Sequence, residues 1–139
     1  MSSEKDFDRF MKQREKAATA YINGDAQPLG DLSATADPAS FFGPGGGKVH
    51  GASQVTGRYA SDAKAFGTGS TGHFEIIHAG SSGDLGYWVG FQRANTYFKG
   101  KTEPVPFNLR ITEIFRKEGG EWKLIHRHAD PLAEEQPRQ

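Results

Sequence analysis

LRITEIFRKEGGEWKLIHRHADP, residues 109–131, reads as two β-strands joined by a glycine turn. Apolar and β-branched residues alternate with polar ones on both sides of Glu118–Gly120, the pattern of a hairpin with one covered face. In the first strand Arg110, Thr112 and Ile114 share one face, and Ile111, Glu113 and Phe115 share the other. In the second, strict alternation puts Trp122, Leu124, His126 and His128 on a common side. Two further β-rich runs precede this hairpin, His73–Ala79 and Gly86–Phe98, separated by GSSGD (residues 80–84), and KGKTEP (residues 99–104) leads into the run that starts at Phe107. The C-terminal half is therefore a meander of long antiparallel strands.

The N-terminal half has a different period. Phe7, Phe10, Met11, Arg14, Ala17, Ala18, Tyr21 and Ile22 recur at spacings of three and four, which predicts an amphipathic helix over Lys5–Asn23 that stops at Gly24. Gln27–Thr35 predicts a shorter helix broken by Asp37-Pro38, because the residue before proline avoids the helical region. Ala39–Phe42 is a short strand, GPGGG (residues 43–47) a turn, and Ser53–Phe66 a third helix with Val55, Tyr59, Ala63 and Phe66 on one face. Helices first and an antiparallel sheet after them define an α+β domain. A sheet that covers helices of this length must curve, and a curved antiparallel sheet against the N-terminal helices encloses a cavity. One domain accounts for residues 1–139, with a core over 5–131 and a polar tail over 132–139.

The chain has 17 basic and 17 acidic residues, so bulk electrostatics offers nothing to nucleic acid or an anionic membrane. With no cysteine, disulfides, thiolate metal sites and cysteine nucleophiles are excluded. The charged N-terminus lacks the apolar centre of a secretory signal, and no run approaches a membrane span. A cytoplasmic location is the default expectation. GPGGGKVHG (residues 43–51) lacks the spacing of a phosphate loop and reads as a simple turn, with His50 exposed in it.

The strands GDLGYWVGFQR (residues 83–93) and LRITEIFRKEGGEWKLIHRHADP resemble the SnoaL-like group of the nuclear transport factor 2 and ketosteroid isomerase superfamily. The shared features are an Arg-x-Thr-x-x-x-Arg strand, a glycine turn, a Trp and a closing His-Arg-His-Ala-Asp. YINGD after the first helix and DPASFFGPGGG sit where that group places equivalents, so the likeness spans roughly residues 5–131. The resemblance implies the cone fold, a pocket at its open end and homodimers paired sheet to sheet. It implies no one reaction, since the superfamily includes isomerases, cyclases, dehydratases, kinase hub domains and proteins of no known activity. Similarity to the kinase hub domain further implies that Gln92 and Arg110 point into the pocket, with Trp88 and Thr112 beside them.

Several residues could carry chemistry there. Arg110 in an aromatic cavity would meet a ligand anion, or else a structural partner such as Glu75 or Asp130. His126 and His128 could contact a ligand, act as a base, bind metal with His73, Glu75 or His78, or simply hydrogen-bond at the sheet edge. Structure is the leading reading for the pair, and no metal or other cofactor is expected. Tyr21 and Tyr59 lie on helices that could line the cavity, and Asp37 could move a proton or merely end a turn. No aspartate occupies the strand centres, where ketosteroid isomerases keep their oxyanion acid. His73 and Glu75 face either the pocket or solvent. These readings leave three hypotheses: proton transfer on a small apolar or carbonyl compound by His128 or Asp37; ligand binding through Arg110, Gln92, Trp88, Thr112, His126, Tyr21 and Tyr59; and a structural dimer with a filled cavity.

Overall fold

The structure is a computed structural model and describes residues 3–133. Of the expected polar tail, 132–139, residues 134–139 lie outside the described residues. Three helices, α1 (Ser3–Tyr21), α2 (Gln27–Leu32) and α3 (Ala52–Ala63), sit against seven strands. These are β1 (Ser40–Phe42), β2 (Lys48–His50), β3 (Thr71–Ser82), β4 (Leu85–Thr96), β5 (Val105–Pro106), β6 (Leu109–Glu118) and β7 (Glu121–Pro131). They form one sheet in the order β2-β1-β7-β6-β4-β3, with β5 added on β4. The sheet is strongly curved and unclosed, and the architecture is the α+β cone anticipated above.

Helix α1 follows its sequence pattern. Phe7, Phe10, Met11, Arg14, Ala17, Ala18 and Ile22 are buried along one stripe, while Lys12, Gln13 and Lys16 face solvent. At its first turns Phe7 meets Phe115 and Trp122 edge-on, with ring centroids 5.7 and 5.1 Å apart, and Phe10 meets Phe115 at 5.0 Å. This aromatic knot closes the narrow end of the cone. Truncating Phe115 to Ala would cost about 3–5 kcal/mol. The helix stops at Gly24, whose φ of +93° is the left-handed turn that glycine tolerates best. Asn23 fastens the turn to β3, donating to the Ser70 carbonyl and accepting from the Ser70 N–H.

Two segments depart from the sequence pattern. The second helix ends at Leu32, not Thr35: Ser33 is extended, and the Ala34 N–H donates to the Leu124 carbonyl of β7. The segment after GPGGG is strand β2 rather than loop. It pairs antiparallel with β1, which in turn runs parallel to β7 and matches Ser40 with His126.

The decisive local feature is a β-bulge. Ile114 pairs with His126 and Phe115 with Leu124, so Ile125 is an extra residue in β7. Trp122 and Leu124 point inward before it; after it Arg127 and Ala129 point inward, and His126 and His128 point outward. The expected common face of Trp122, Leu124, His126 and His128 is therefore split, because a bulge shifts strand parity by one. A second bulge at Ile77 in β3 pushes that side chain into solvent.

A candidate anion-binding cavity

The inward face of β6 carries Ile111, Glu113 and Phe115, all buried. Glu113 is 0% exposed and would be unstable there without partners. Four hydrogen bonds converge on it. Arg14 Nε donates to Oε1 at 2.9 Å and Arg14 Nη2 to Oε2 at 2.7 Å, a bidentate pair. Trp88 Nε1 donates to Oε1 at 2.7 Å, and Arg127 Nη1 to Oε2 at 2.7 Å. Burial pushes the Glu113 carboxyl up, but the two guanidiniums and their hydrogen bonds outweigh it and hold the group down to about 2. Arg127 Nη2 then donates to Gln92 Oε1 at 2.8 Å, which orients that amide. Trp88 stacks on Phe74 with centroids 4.4 Å apart, and Arg14 lies over the same Phe74 ring.

Two cations against one carboxylate leave this buried cluster with a net positive charge. Each guanidinium has five N–H donors, and the protein uses two from each. Arg14 Nη1 is buried with no partner at all, and so is the hydroxyl of Tyr59, a residue only 2% exposed. Such groups are rare in folded proteins, because an unmet buried donor costs about 1–3 kcal/mol.

Arg14 and Tyr59 are both among the residues that line a cavity of about 360 Å³. Its buried polar lining is Arg14, Tyr59, Gln92 and Arg127. Its walls are Ala18, Tyr21 and Ile22 of α1, Leu29 of α2 and Phe41 of β1. The exposed end is bordered by Pro44, Ser61, Asp62, Ala65, Phe98 and Phe107. Burial first, and then the nearby Asp62 charge, pushes the Tyr21 hydroxyl up to about 12; burial raises Tyr59 further still. Both therefore remain protonated donors at neutral pH. Among the described lining residues Asp62 is the one carboxylate, and Arg58 holds it at 3.0 Å on the exposed side of α3.

The structure thus gathers Gln92, Tyr21 and Tyr59 around the cavity, while Trp88 stands behind it as the support of Glu113. Arg110 and Thr112 are turned to the outer face and exposed, since β6 presents its Ile111–Glu113–Phe115 side to the helices. Arg110 pairs there with Asp130 at 3.3 Å, the bridge weighed from the sequence. His128 is also outside, 3.3 Å from Asp130, and His126 accepts or donates at 2.7 Å with Ser40 Oγ. Asp37 lies away from the cavity at the head of α3, where its carboxylate accepts the Ala52 N–H at 2.7 Å. His73 and Glu75 face outward, Glu75 bound to Arg93 at 2.8 Å. Among the described residues, no three His, Asp or Glu side chains gather in a way that could hold a metal ion. No described helix is long and apolar enough to cross a membrane.

Sequence reasoning missed Arg14, Glu113 and Arg127 as a unit. The first two left a signal, a charge embedded in each of two otherwise apolar faces, on α1 and on β6. Arg127 left none, because nothing about Ile125 announces a bulge.

A curved antiparallel sheet around helices, with a cavity at its open end, defines the nuclear transport factor 2-like class of fold. The SnoaL-like domain model matches residues 14–134, and the chain belongs to that family. Solved structures agree. A protein described as an NTF2-like dehydratase from Streptomyces avermitilis superposes with a TM-score of 0.73 at 19% identity, covering 92% of this chain and 97% of that one. One described as a calcium/calmodulin-dependent protein kinase type II association domain from Thiobacillus denitrificans gives 0.66 at 18%, covering 84% and 90%. A ketosteroid isomerase-like protein from Erwinia carotovora atroseptica also gives 0.66 at 18%, covering 84% and 88%. At these identities the likeness defines the fold. No curated protein matches the sequence.

Proposed function

We propose that the chain is a small-molecule-binding protein whose cavity takes an apolar compound through one acidic oxygen group. The reading rests on the unpartnered Arg14 Nη1 and Tyr59 hydroxyl, carried by buried residues that line an apolar cavity. A carboxylate seated there would meet donors from Arg14, Arg127 and Tyr59 and neutralise the surplus charge of the cluster. The Gln92 amide, turned by Arg127, supplies a further contact. Isothermal titration with phenylacetate and methyl phenylacetate tests this. The acid should bind and the ester should bind at least tenfold more weakly. Arg127→Gln should weaken the acid by about 10- to 100-fold, as expected for a charged hydrogen bond. Equal affinity for acid and ester would refute the reading.

Catalysis of the isomerase, cyclase or dehydratase type is the second reading, favoured by the same donors, which could steady an enolate oxygen. It lacks a base: His128 and Asp37 lie outside the cavity, and Asp62 is engaged by Arg58. Proton exchange at the α-carbon of a bound ketone, followed by NMR, would support it only if the exchange is lost in Tyr59→Phe.

The partner proposed for the outer sheet face is a second copy of the chain. Phe42, Leu85, Tyr87 and Ile114 are large exposed apolar side chains on that face, an unusual concentration for a free surface. Four strands at about 4.8 Å spacing and six residues at about 3.3 Å give a patch on the order of 400 Å² before side-chain relief is counted. That is about half of the roughly 800 Å² per partner of a standard interface, and side-chain relief adds to it.

A further inference from the structure

The cavity has a neighbour. Pro44, Phe107 and Leu109 line both it and an adjoining groove, so the two spaces share a wall. The groove passes between Gly45 on one side and Pro106 and Asn108 on the other, and reaches Pro131 and Leu132. None of the described side chains along it carries a charge. The amide of Asn108 is already committed through Oδ1, which accepts the Ala94 N–H at 3.2 Å. The cavity's exposed lining also carries Ser61 and Asp62, the latter paired with Arg58, whereas the adjoining groove is uncharged.

Resting on the anion-binding reading, we propose that the ligand is an elongated monocarboxylic amphiphile. Its carboxylate sits on Arg14, Arg127 and Tyr59, and its apolar tail leaves the cavity through the groove beside Gly45. The distribution of polarity carries the inference: surplus donors lie on buried lining residues, apolar walls surround them, and an uncharged groove adjoins. A cavity of about 360 Å³ holds on the order of a dozen heavy atoms, at roughly 30 Å³ each as in liquid water. A straight-chain acid of about ten carbons fills it, and longer chains enter the groove.

Titration calorimetry with the sodium salts of straight-chain acids from six to fourteen carbons, below their micelle concentrations, tests this on the full chain. Each methylene buried should tighten binding about fourfold, and the rise should continue past ten carbons. Gly45→Trp is placed to narrow the groove, and a Cβ added there meets nothing within 4 Å, so the backbone can accept a side chain. The variant should bind the eight-carbon acid as the native chain does and lose the gain from ten to fourteen carbons. A plateau or decline beyond ten carbons in the native chain, or an unchanged gain in Gly45→Trp, overturns the groove. Methyl esters of the same series separate the two readings. If they bind as tightly as the acids but keep the chain-length rise, the groove stands and the anion site falls. If no acid of the series binds, both fall.

Discussion

Replacing Glu113 by Gln removes the one negative charge from a site that keeps two guanidiniums. The carboxylate accepts four hydrogen bonds from Arg14, Arg127 and Trp88, and it is wholly buried, so no water can take its place. The amide is the same size but cannot accept at both ends. Removing one member of a buried ionic cluster costs about 3–5 kcal/mol, set against a total stability of about 5–15 kcal/mol. For a domain of this size that is a drop in Tm of about 12–20 °C. With a urea slope of roughly 2 kcal/mol/M, the midpoint falls by about 2 M. Calorimetry and urea unfolding followed by circular dichroism would measure both. A companion variant, Arg14→Met with Glu113→Leu and Arg127→Met, should regain most of the lost stability, because apolar side chains of similar volume replace the cluster without leaving a lone charge. It should also lose acid binding. A Glu113→Gln protein within about 1 kcal/mol of the native chain would refute the sequestered cluster, as would a triple variant less stable than the single one.

Because the Glu113 carboxyl is held below its ordinary value of 4.5, at about 2, its contribution is present above pH 4.5 and lost as pH falls towards 2. The gap between native and Glu113→Gln stabilities should shrink by on the order of 3 kcal/mol across that window, read by urea titrations at stepped pH. Gly90→Ala should cost at least about 1–3 kcal/mol, seen as a lowered Tm, since the new Cβ would lie 2.1 Å from the Glu75 carbonyl oxygen and force β3 away from β4. On the proposed pairing, Ile114→Asp should elute as a monomer in size-exclusion chromatography where the native chain elutes as a dimer. Burial first, then the neighbouring His128, lowers the His126 value, so the neutral form is favoured and the fold loses stability as pH falls below about 6.5. A thermal midpoint that does not fall between pH 7.5 and 5.5 by more in the native chain than in His126→Gln would count against that account.

The layout of the fold was legible because its two periods are clean. Alternation located β3, β4, β6 and β7 to within two or three residues, and the stripe from Phe7 to Ile22 located α1. Short elements were harder. Strand β2 is three residues after a glycine run, and β1 owes its place to β7, whose His126 lies 86 positions from Ser40. Such pairings leave no local trace. The site was legible in part: Tyr21 and Tyr59 could be picked out from their helices, and Gln92 from resemblance. For β6 the choice of face was ambiguous, because each side mixes apolar residues with one charge, and resemblance favoured Arg110 over Glu113. The structure settles the facing by burial, since Ile111 and Phe115 make the better core.

The bulge at Ile125 also bears on how such a cavity could diverge. Because the extra residue sits between two regular ladders, deleting Ile125 would leave Leu124 opposite Phe115 and His126 opposite Ile114, as they are now. Arg127 would stay beside Glu113 and the imidazoles would stay outside. The strand could thus change length by one codon at this point without rewiring the cavity, whereas the same loss one position further on, at His126, would put Arg127 opposite Ile114 on the outer face.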